Sequence, residues 1–292
     1  MAKTKMELIK EIRAITDAPM IDCKKALEET NYELEAAIQW LNDNILKKAA
    51  KKSGRIAAEG IVKYVENDQF AVVYELNSET DFVIQNEKFV KLAAEIEEVL
   101  LSRRFTNEEE LSLLVNKDNK TLTTLCEEAT GVIGEKIALR RAIQVEKTNL
   151  VTGYTHNNSK IAVFVTGEGK DANILRNVAM HIAAMNPKFA TTAQVPAQTI
   201  QALKDEFSAD ESLAKKPEKI QQMIINGKID KELSEFVLEK QPFVMESSLT
   251  VAQYLSQHSI KLLNFVRLEL AEGIEKVETN FAAEVAAQMN KA

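Results

Sequence analysis

The sequence predicts an α+β fold, and three observations lead there. A strand-like run, a polar turn and an amphipathic helix occur in that order twice, around residues 61–100 and again around 160–185. Three short helical patterns fill the first fifty residues or so. A charged, strand-free helical span covers about 191–240. A chain of 292 residues is long enough to bury a sizeable core and to divide into two or more units.

At the N-terminus, "TKME" fits a capping box, with Thr4 as N-cap and Glu7 three residues on. Leu8, Ile12 and Ile15 follow at helical spacing. "TDAP" interrupts that pattern, and Pro19 suits the first turn of a second helix, where Met20, Cys23 and Leu27 share a face. Asn31 is placed to cap a third helix with the stripe Leu34, Ala37, Ile38, Leu41 and Ile45. "KKAAKKSGR" then reads as a helix end or linker stopped by Gly54.

Residues 61–65 and "FAVVYEL" (70–76) are apolar and β-branched, hence strands. Asn86 is the natural cap of a helix with Phe89, Ala93, Ile96 and Leu100 on one side. Residues 105–128 are polar and helix-prone, and 131–146 pass from a helix end into a strand. "KIAVFVTGEGKD" is a strand with a glycine turn. "ANILRNVAMHIAAMNPKF" is a helix whose stripe is Leu175, Val178, Ile182 and Met185. Strand, turn and helix thus recur, which points to two related halves.

In the charged span, Ile220, Ile224 and Leu233 keep helical spacing, and Asn226-Gly227 is placed to turn a helical hairpin. "PFVMESSLTVAQYLSQHSIKLLNFVRLEL" returns to strand and helix, and "EGIEKVETNFAAEVAAQMNKA" reads as a last amphipathic helix.

Composition narrows the function. A net charge of −7 disfavours a general nucleic-acid binder, which needs a basic face to neutralise phosphates. No apolar run approaches the roughly 20 residues of a membrane helix. "MAKTKMELIKEIR" has no apolar core of a signal peptide, so a cytoplasmic protein with no membrane partner is expected. Cys23 and Cys126 are the only cysteines, too few for a disulfide scaffold or a cysteine zinc site. No metal and no cofactor are expected.

The search for catalytic parts returns little. "TGEGKD" and "GVIGEK" lack the spacing of a phosphate loop and read as turns. His156, His181 and His258 are scattered, and His181 in an Ala-rich helix reads as a packed or surface side chain. Cys23 lies between Asp22 and Lys24 with no histidine base near in sequence, so a buried thiol is expected. Lys47, Lys48, Lys51, Lys52 and Arg55 have no interleaved aromatic residue for stacking on bases and read as a solvated face. Nothing points to an enzyme.

"NSETDFVIQNEKF" (77–89) is the unusual stretch, because a connecting loop carries Phe82, Val83 and Ile84 in a row behind Asp81. Two readings exist. Phe82 or Val83 staples down onto the helix capped by Asn86, or Phe82 is an exposed aromatic anchor for a partner's pocket.

Five blocks carry a resemblance to the elongation factor Ts family. "TDAPMIDCKKALEE" resembles its N-terminal signature, T-G-A-G-M-M-D-C-K-K-A-L. "SETDFV" followed by "NEKF" is similar to its T-D-F-V-A-x-N-x-x-F signature. "HIAAMNPKF", "EKQPFVMESSLTV" and "AEGIEKVETNFAAEVA" resemble three further blocks, in the family's order and over nearly the whole chain. Asp17 and Pro19 stand where glycines are common, Ile21 where methionine is, Ile84 where alanine is, and Ala271 where glycine is.

The resemblance implies a guanine-nucleotide exchange factor, not an enzyme, that displaces Mg²⁺ and GDP from elongation factor Tu. It implies a ubiquitin-associated-like helical bundle over 1–54 and a two-part α+β core, 55–140 for one half and 141–190 with 241–265 for the other. A helical hairpin over 191–240 and a C-terminal module over 266–292 complete it. The nucleotide sits on the partner, so no direct nucleotide site is expected here. Thr80, Asp81, Phe82 and Val83 match the residues implicated in dislodging magnesium, with Phe82 as the wedge and Asp81 in a position to cap the turn. Met20, Ile21 and Lys24 match a contact to the GTPase domain, and Ile274 to Phe281 match a further contact module. The hairpin is compatible with a homodimer or a two-to-two complex. The rival is a helical adaptor or chaperone-like module binding through its N-terminal bundle.

Overall fold

The computed structural model describes residues 3–210 and 216–274. Three helices come first: α1 (Lys5–Thr16), α2 (Met20–Glu29) and α3 (Leu34–Ala50). Both halves of the Thr4/Glu7 capping box form. The small core contains Ile12, Cys23, Leu27, Ala37 and Leu41, all essentially excluded from solvent. Asn31 does not cap α3. Asn31 and Tyr32 take left-handed backbone (φ 53° and 65°), and Glu33 is the residue before the helix. Asparagine tolerates that conformation better than most residues, and the turn uses it there. Met20 starts α2 and is half exposed, so it stands outside the face formed by Cys23 and Leu27.

The strands expected over 61–65 and 70–76 form. β1 (Glu59–Glu66), β2 (Phe70–Ser78) and β3 (Ile137–Glu146) form one antiparallel sheet, with β2 central. Between β2 and β3 lie α4 (Glu87–Ser102), α5 (Glu108–Ser112) and α6 (Leu122–Ile133). The second sheet contains β4 (Leu150–Thr155), β5 (Ile161–Glu168) and β8 (Lys261–Glu269), with β5 central. β4 is not evident from the sequence pattern; it is a short strand with Gly153 paired within it opposite Phe164. The Cβ missing from Gly153 would fall about 2.4 Å from the Tyr64 ring, so glycine allows β1 to approach.

Every residue of β2 is buried, because both of its faces are covered. Val72, Tyr74 and Leu76 meet α4 and α6 on one side. Val73 faces the second sheet, together with Val62, Ala162, Phe164 and Leu268. Beyond the second sheet lie α7 (Ala172–Met185) and α10 (Val251–Gln257). Met185 is nearly half exposed; the buried face of α7 is Leu175, Val178, Ala179 and Ile182, with His181. His181 Nδ1 accepts the Val244 N–H (3.2 Å) and Nε2 meets Gln241 Oε1 (3.0 Å). That histidine is a packed structural group tying α7 to the short hairpin of β6 (Pro242–Phe243) and β7 (Glu246–Thr250).

The helical span contains α8 (Ala197–Ser208) and α9 (Glu218–Phe236). Asn226 and Gly227 do not turn the chain; they lie inside α9. Ile225, Ile229 and Leu233 are buried at i+4 spacing, and that packing outweighs the roughly 1 kcal/mol cost of a helical glycine. Of the expected stripe, Leu233 is buried, Ile224 packs partly against the same cluster, and Ile220 is 43 % exposed.

Strand pairing determines how the halves divide. β3 spans 137–146, so a line at residue 140 falls within it, and a line at 265 falls within β8. The N-terminal bundle is seated on α6. Gly131 lies where a Cβ would come within 2.5 Å of the Ile45 carbonyl, which brings α3 directly onto α6.

A buried ion cluster holds the end of the second sheet to the first. Glu75 is fully buried and receives Arg140 (3.1 Å), Arg141 (2.6 Å), Asn77 (3.1 Å) and the Ala271 N–H (2.8 Å). A β-bulge makes this reachable. Glu75 pairs with Arg141 and Leu76 with Leu139, so Arg140 is the extra residue, and both arginines point the same way. They continue to the carbonyls of Glu272 and Glu269. The tail read as an amphipathic helix lies outside the described residues, apart from its first positions. Among the described residues, no helix is long and apolar enough to cross a membrane.

Candidate functional site

The site begins where β2 ends. The β2–β3 ladder closes at Ser78↔Ile137, and the next two residues continue it with side chains. The Glu79 carboxylate accepts the Lys136 N–H (2.6 Å) and an Arg55 guanidinium N–H (3.1 Å). The Glu135 carboxylate accepts the Thr80 N–H (2.9 Å) and the Thr80 hydroxyl (2.8 Å). Thr80 O accepts in turn from the Ser78 hydroxyl (2.8 Å). Residues 79–80 and 135–136 therefore bind each other reciprocally, side chain to backbone. Partial burial works against ionisation of Glu79, but the Lys136 N–H and Arg55 outweigh it and hold the carboxyl below its usual range.

Beyond this clamp the chain makes a 3-10 turn over Asp81–Gln85. Val83 points inward and joins Leu76, Phe89 and Leu92 in the core under α4. Ile84 packs partly against the same cluster. Phe82 points out and is 84 % exposed. Asn86 caps α4, accepting the Lys88 N–H (2.9 Å). The staple and the anchor are thus divided within the triplet, Val83 taking the first and Phe82 the geometry of the second. Asp81 caps nothing: the turn has no side-chain cap, and among the described residues the Asp81 carboxylate has no hydrogen-bond partner. The pose is set one residue earlier, by Thr80.

The other expected residues open α2. Ile21 is 82 % exposed, Met20 is half exposed, and Lys24 makes only a loose surface pair with Glu28 (3.8 Å). Such an exposed pair contributes little to stability. The Lys88 ammonium donates to the Asp17 carbonyl. That contact sets the loop before Met20 against the first turn of α4, six residues after Phe82.

The clamp is not legible in the sequence, where Arg55 reads as part of a solvated basic face. "GVIGEK" was legible as a turn, and Gly134 does close α6 in left-handed backbone (φ 91°). No spacing rule links residue 135 to residue 80.

Concave alternatives are less suited to chemistry. A cleft of about 380 Å³ is lined by residues including Ala49, Leu111, Leu122, Cys126, Leu139 and Arg140. Burial pushes the Cys126 thiol up to about 12, so it stays protonated near neutral pH. Arg140 is already committed to Glu75. Among the described residues, no group of three or more His, Cys, Asp or Glu side chains is placed to hold a metal.

Comparison with known proteins bears on the whole chain. The family model described as elongation factor TS matches residues 79–272. Its first residue, Glu79, is a member of the clamp. Over 292 residues the chain is 49 % identical to an elongation factor Ts of Mycoplasmopsis pulmonis (strain UAB CTIP), covering 99 % of each. Identity is 47 % over 289 residues to that of Mycoplasmopsis synoviae (strain 53), covering 98 % of this chain and 99 % of the relative. It is 43 % over 290 residues to that of Acholeplasma laidlawii (strain PG-8A), covering 97 % and 98 %. With the family model spanning most of the chain and relatives aligned over nearly all of it, this chain belongs to the elongation factor Ts family of translation elongation factors.

Proposed function

We propose that this chain is a guanine-nucleotide exchange factor for the GDP form of elongation factor Tu, and is not itself an enzyme. The observation that carries the reading is Phe82, an exposed aromatic ring on a turn fixed at both ends. A rigid aromatic presented this way has the form of a binding anchor. A GTPase holds GDP through Mg²⁺ and backbone N–H groups around the phosphates. A ring driven between the elements that carry those ligands leaves the magnesium miscoordinated and the nucleotide loosened. Coupling is reciprocal, so each tenfold loss of GDP affinity needs about 1.4 kcal/mol of differential binding by the factor. One anchor supplies about 2–4 kcal/mol, so a large effect needs further contacts. Met20, Ile21 and Lys24 on a ubiquitin-associated-like bundle are the second surface in this proposal, and the C-terminal module over 266–292 is the third. The helical hairpin over 191–240 serves contact or self-association, and the factor works in the cytoplasm.

The test is release of fluorescent GDP from elongation factor Tu, followed by stopped flow without addition, with this protein, and with Phe82→Ala. Rapid release that the substitution abolishes supports exchange with Phe82 as the wedge. Binding without any acceleration removes the exchange reading. The adaptor reading, favoured by the exposure of Ile21, then takes its place. It expects Ile21→Ala to abolish binding and nucleotide release to be unaffected throughout.

A further inference from the structure

We propose that Glu135 is a positioning residue for Phe82, and that Thr80 acts through it rather than on the partner. The proposal rests on the exchange reading and adds which residues the wedge depends on.

The polar groups of Thr80 are committed inside the chain. Its N–H and its hydroxyl proton both go to Glu135, and its carbonyl accepts from Ser78. A group so occupied has no donor left for a phosphate. Its contribution is directional. Thr80 is extended (φ −128°, ψ 159°), and the chain leaves the sheet immediately after it. Glu135 holds the upstream side of the turn and Val83 anchors the downstream side, so Phe82 projects between two fixed points.

A wedge works only against a stiff backing. A ring on a free loop would fold aside when pressed into a packed domain, and its binding energy would not reach the magnesium ligands. The backing here is the β2–β3 ladder, extended past its last pair by the two carboxylates. Glu135 therefore governs the rate of nucleotide loosening more than the affinity of docking. The other surface, at Ile21, lies on a different element and stays intact without it.

The experiment uses the full chain with Glu135→Ala, Thr80→Val and Thr80→Ser, the first also combined with Phe82→Ala. GDP release from elongation factor Tu is measured over a range of factor concentrations. Amide hydrogen exchange is measured on the free protein. Glu135→Ala and Thr80→Val are expected to lower release at saturating factor by roughly 10- to 100-fold, with a much smaller change in the half-saturating concentration. Thr80→Ser, which keeps the hydroxyl, retains the native rate. In the Phe82→Ala background, Glu135→Ala adds no further loss. Amides of 80–85 exchange faster in Glu135→Ala, while the centre of β2 stays protected. A Thr80→Val protein as active as the native one overturns the proposal. So does a Glu135→Ala loss undiminished in the Phe82→Ala background, or unchanged protection at 80–85. If the native protein accelerates no GDP release, the exchange reading fails, and the amide protection still decides whether Glu135 positions the turn.

Discussion

Phe82 and Val83 are neighbours in the chain with opposite surroundings: Phe82 is 84 % exposed and Val83 only 5 %. The 3-10 turn between the Thr80 clamp and the Asn86 cap sets that division. Val83 secures the loop, and Phe82 is left for whatever meets the protein.

The two substitutions separate accordingly. Val83→Ala removes buried methyl groups and should cost about 2 kcal/mol of stability. Phe82→Ala should change stability by less than about 0.5 kcal/mol, as for a surface side chain. Urea unfolding of both variants checks this. A large loss from Phe82→Ala would mean the ring packs in solution.

Ile21 has the same character on the bundle. Being 82 % exposed, it contributes nothing evident to the fold, and Ile21→Ala should unfold as the native protein does. Its expected effect is on binding, a weakening of about tenfold, or 1.4 kcal/mol. Titration calorimetry with elongation factor Tu measures it. Unaltered affinity would take the N-terminal bundle out of the interface.

Glu75 makes the fold acid-sensitive. Burial opposes its ionisation, but the Ala271 N–H, Arg141, Asn77 and Arg140 outweigh that and lower its pKa. A carboxyl lowered in the folded state stabilises the protein at pH above its unfolded value, about 4.3. That contribution is lost as pH falls through the lower folded value. Glu75→Gln should therefore cost about 3 kcal/mol at pH 7, since it leaves two arginines without their partner. The difference should shrink as pH falls below about 4. Denaturation curves at pH 7, 5, 4 and 3 test this, and a gap independent of pH would exclude Glu75 as the source.

Two departures from the family's glycines have a backbone meaning. Ala271 sits at φ 59° and Asp17 at φ 52°, both left-handed. Asp17 closes α1 there, the position where glycine most often ends a helix. Ala271→Gly should raise stability by about 0.5–1 kcal/mol, because alanine carries the steric cost of that conformation. Asp17→Gly should gain less, since aspartate tolerates it better. Thermal melts decide, and a destabilised Ala271→Gly protein would show that unfolded-state entropy dominates.

Much of the architecture was legible from short-range pattern. Thr4, Asn86 and the stripe Phe89, Ala93, Ile96 and Leu100 are local statements, and each element formed where its caps and period placed it. Asn31 and Asn226-Gly227 misled because each is compatible with two outcomes. The choice was made by packing, with Ile225, Ile229 and Leu233 carrying α9 straight through the glycine. Phe82 could be singled out as unusual, but whether it faced inward or outward could not be read from the triplet.

By itself the sequence determined the α+β class, the three N-terminal helices, α4, α7 and the central strands, and through its five blocks the elongation factor Ts family. Those properties depend on residues close in the chain or on motifs in order. The tertiary structure alone decided that Thr80 is held by Glu135, that Glu75 gathers two arginines through a bulge, and that Phe82 stands clear of the core. Each of these joins residues 55 or more positions apart, or turns on which face of a fold a side chain meets. Their energies come from burial and hydrogen bonds that exist only once the sheet has paired.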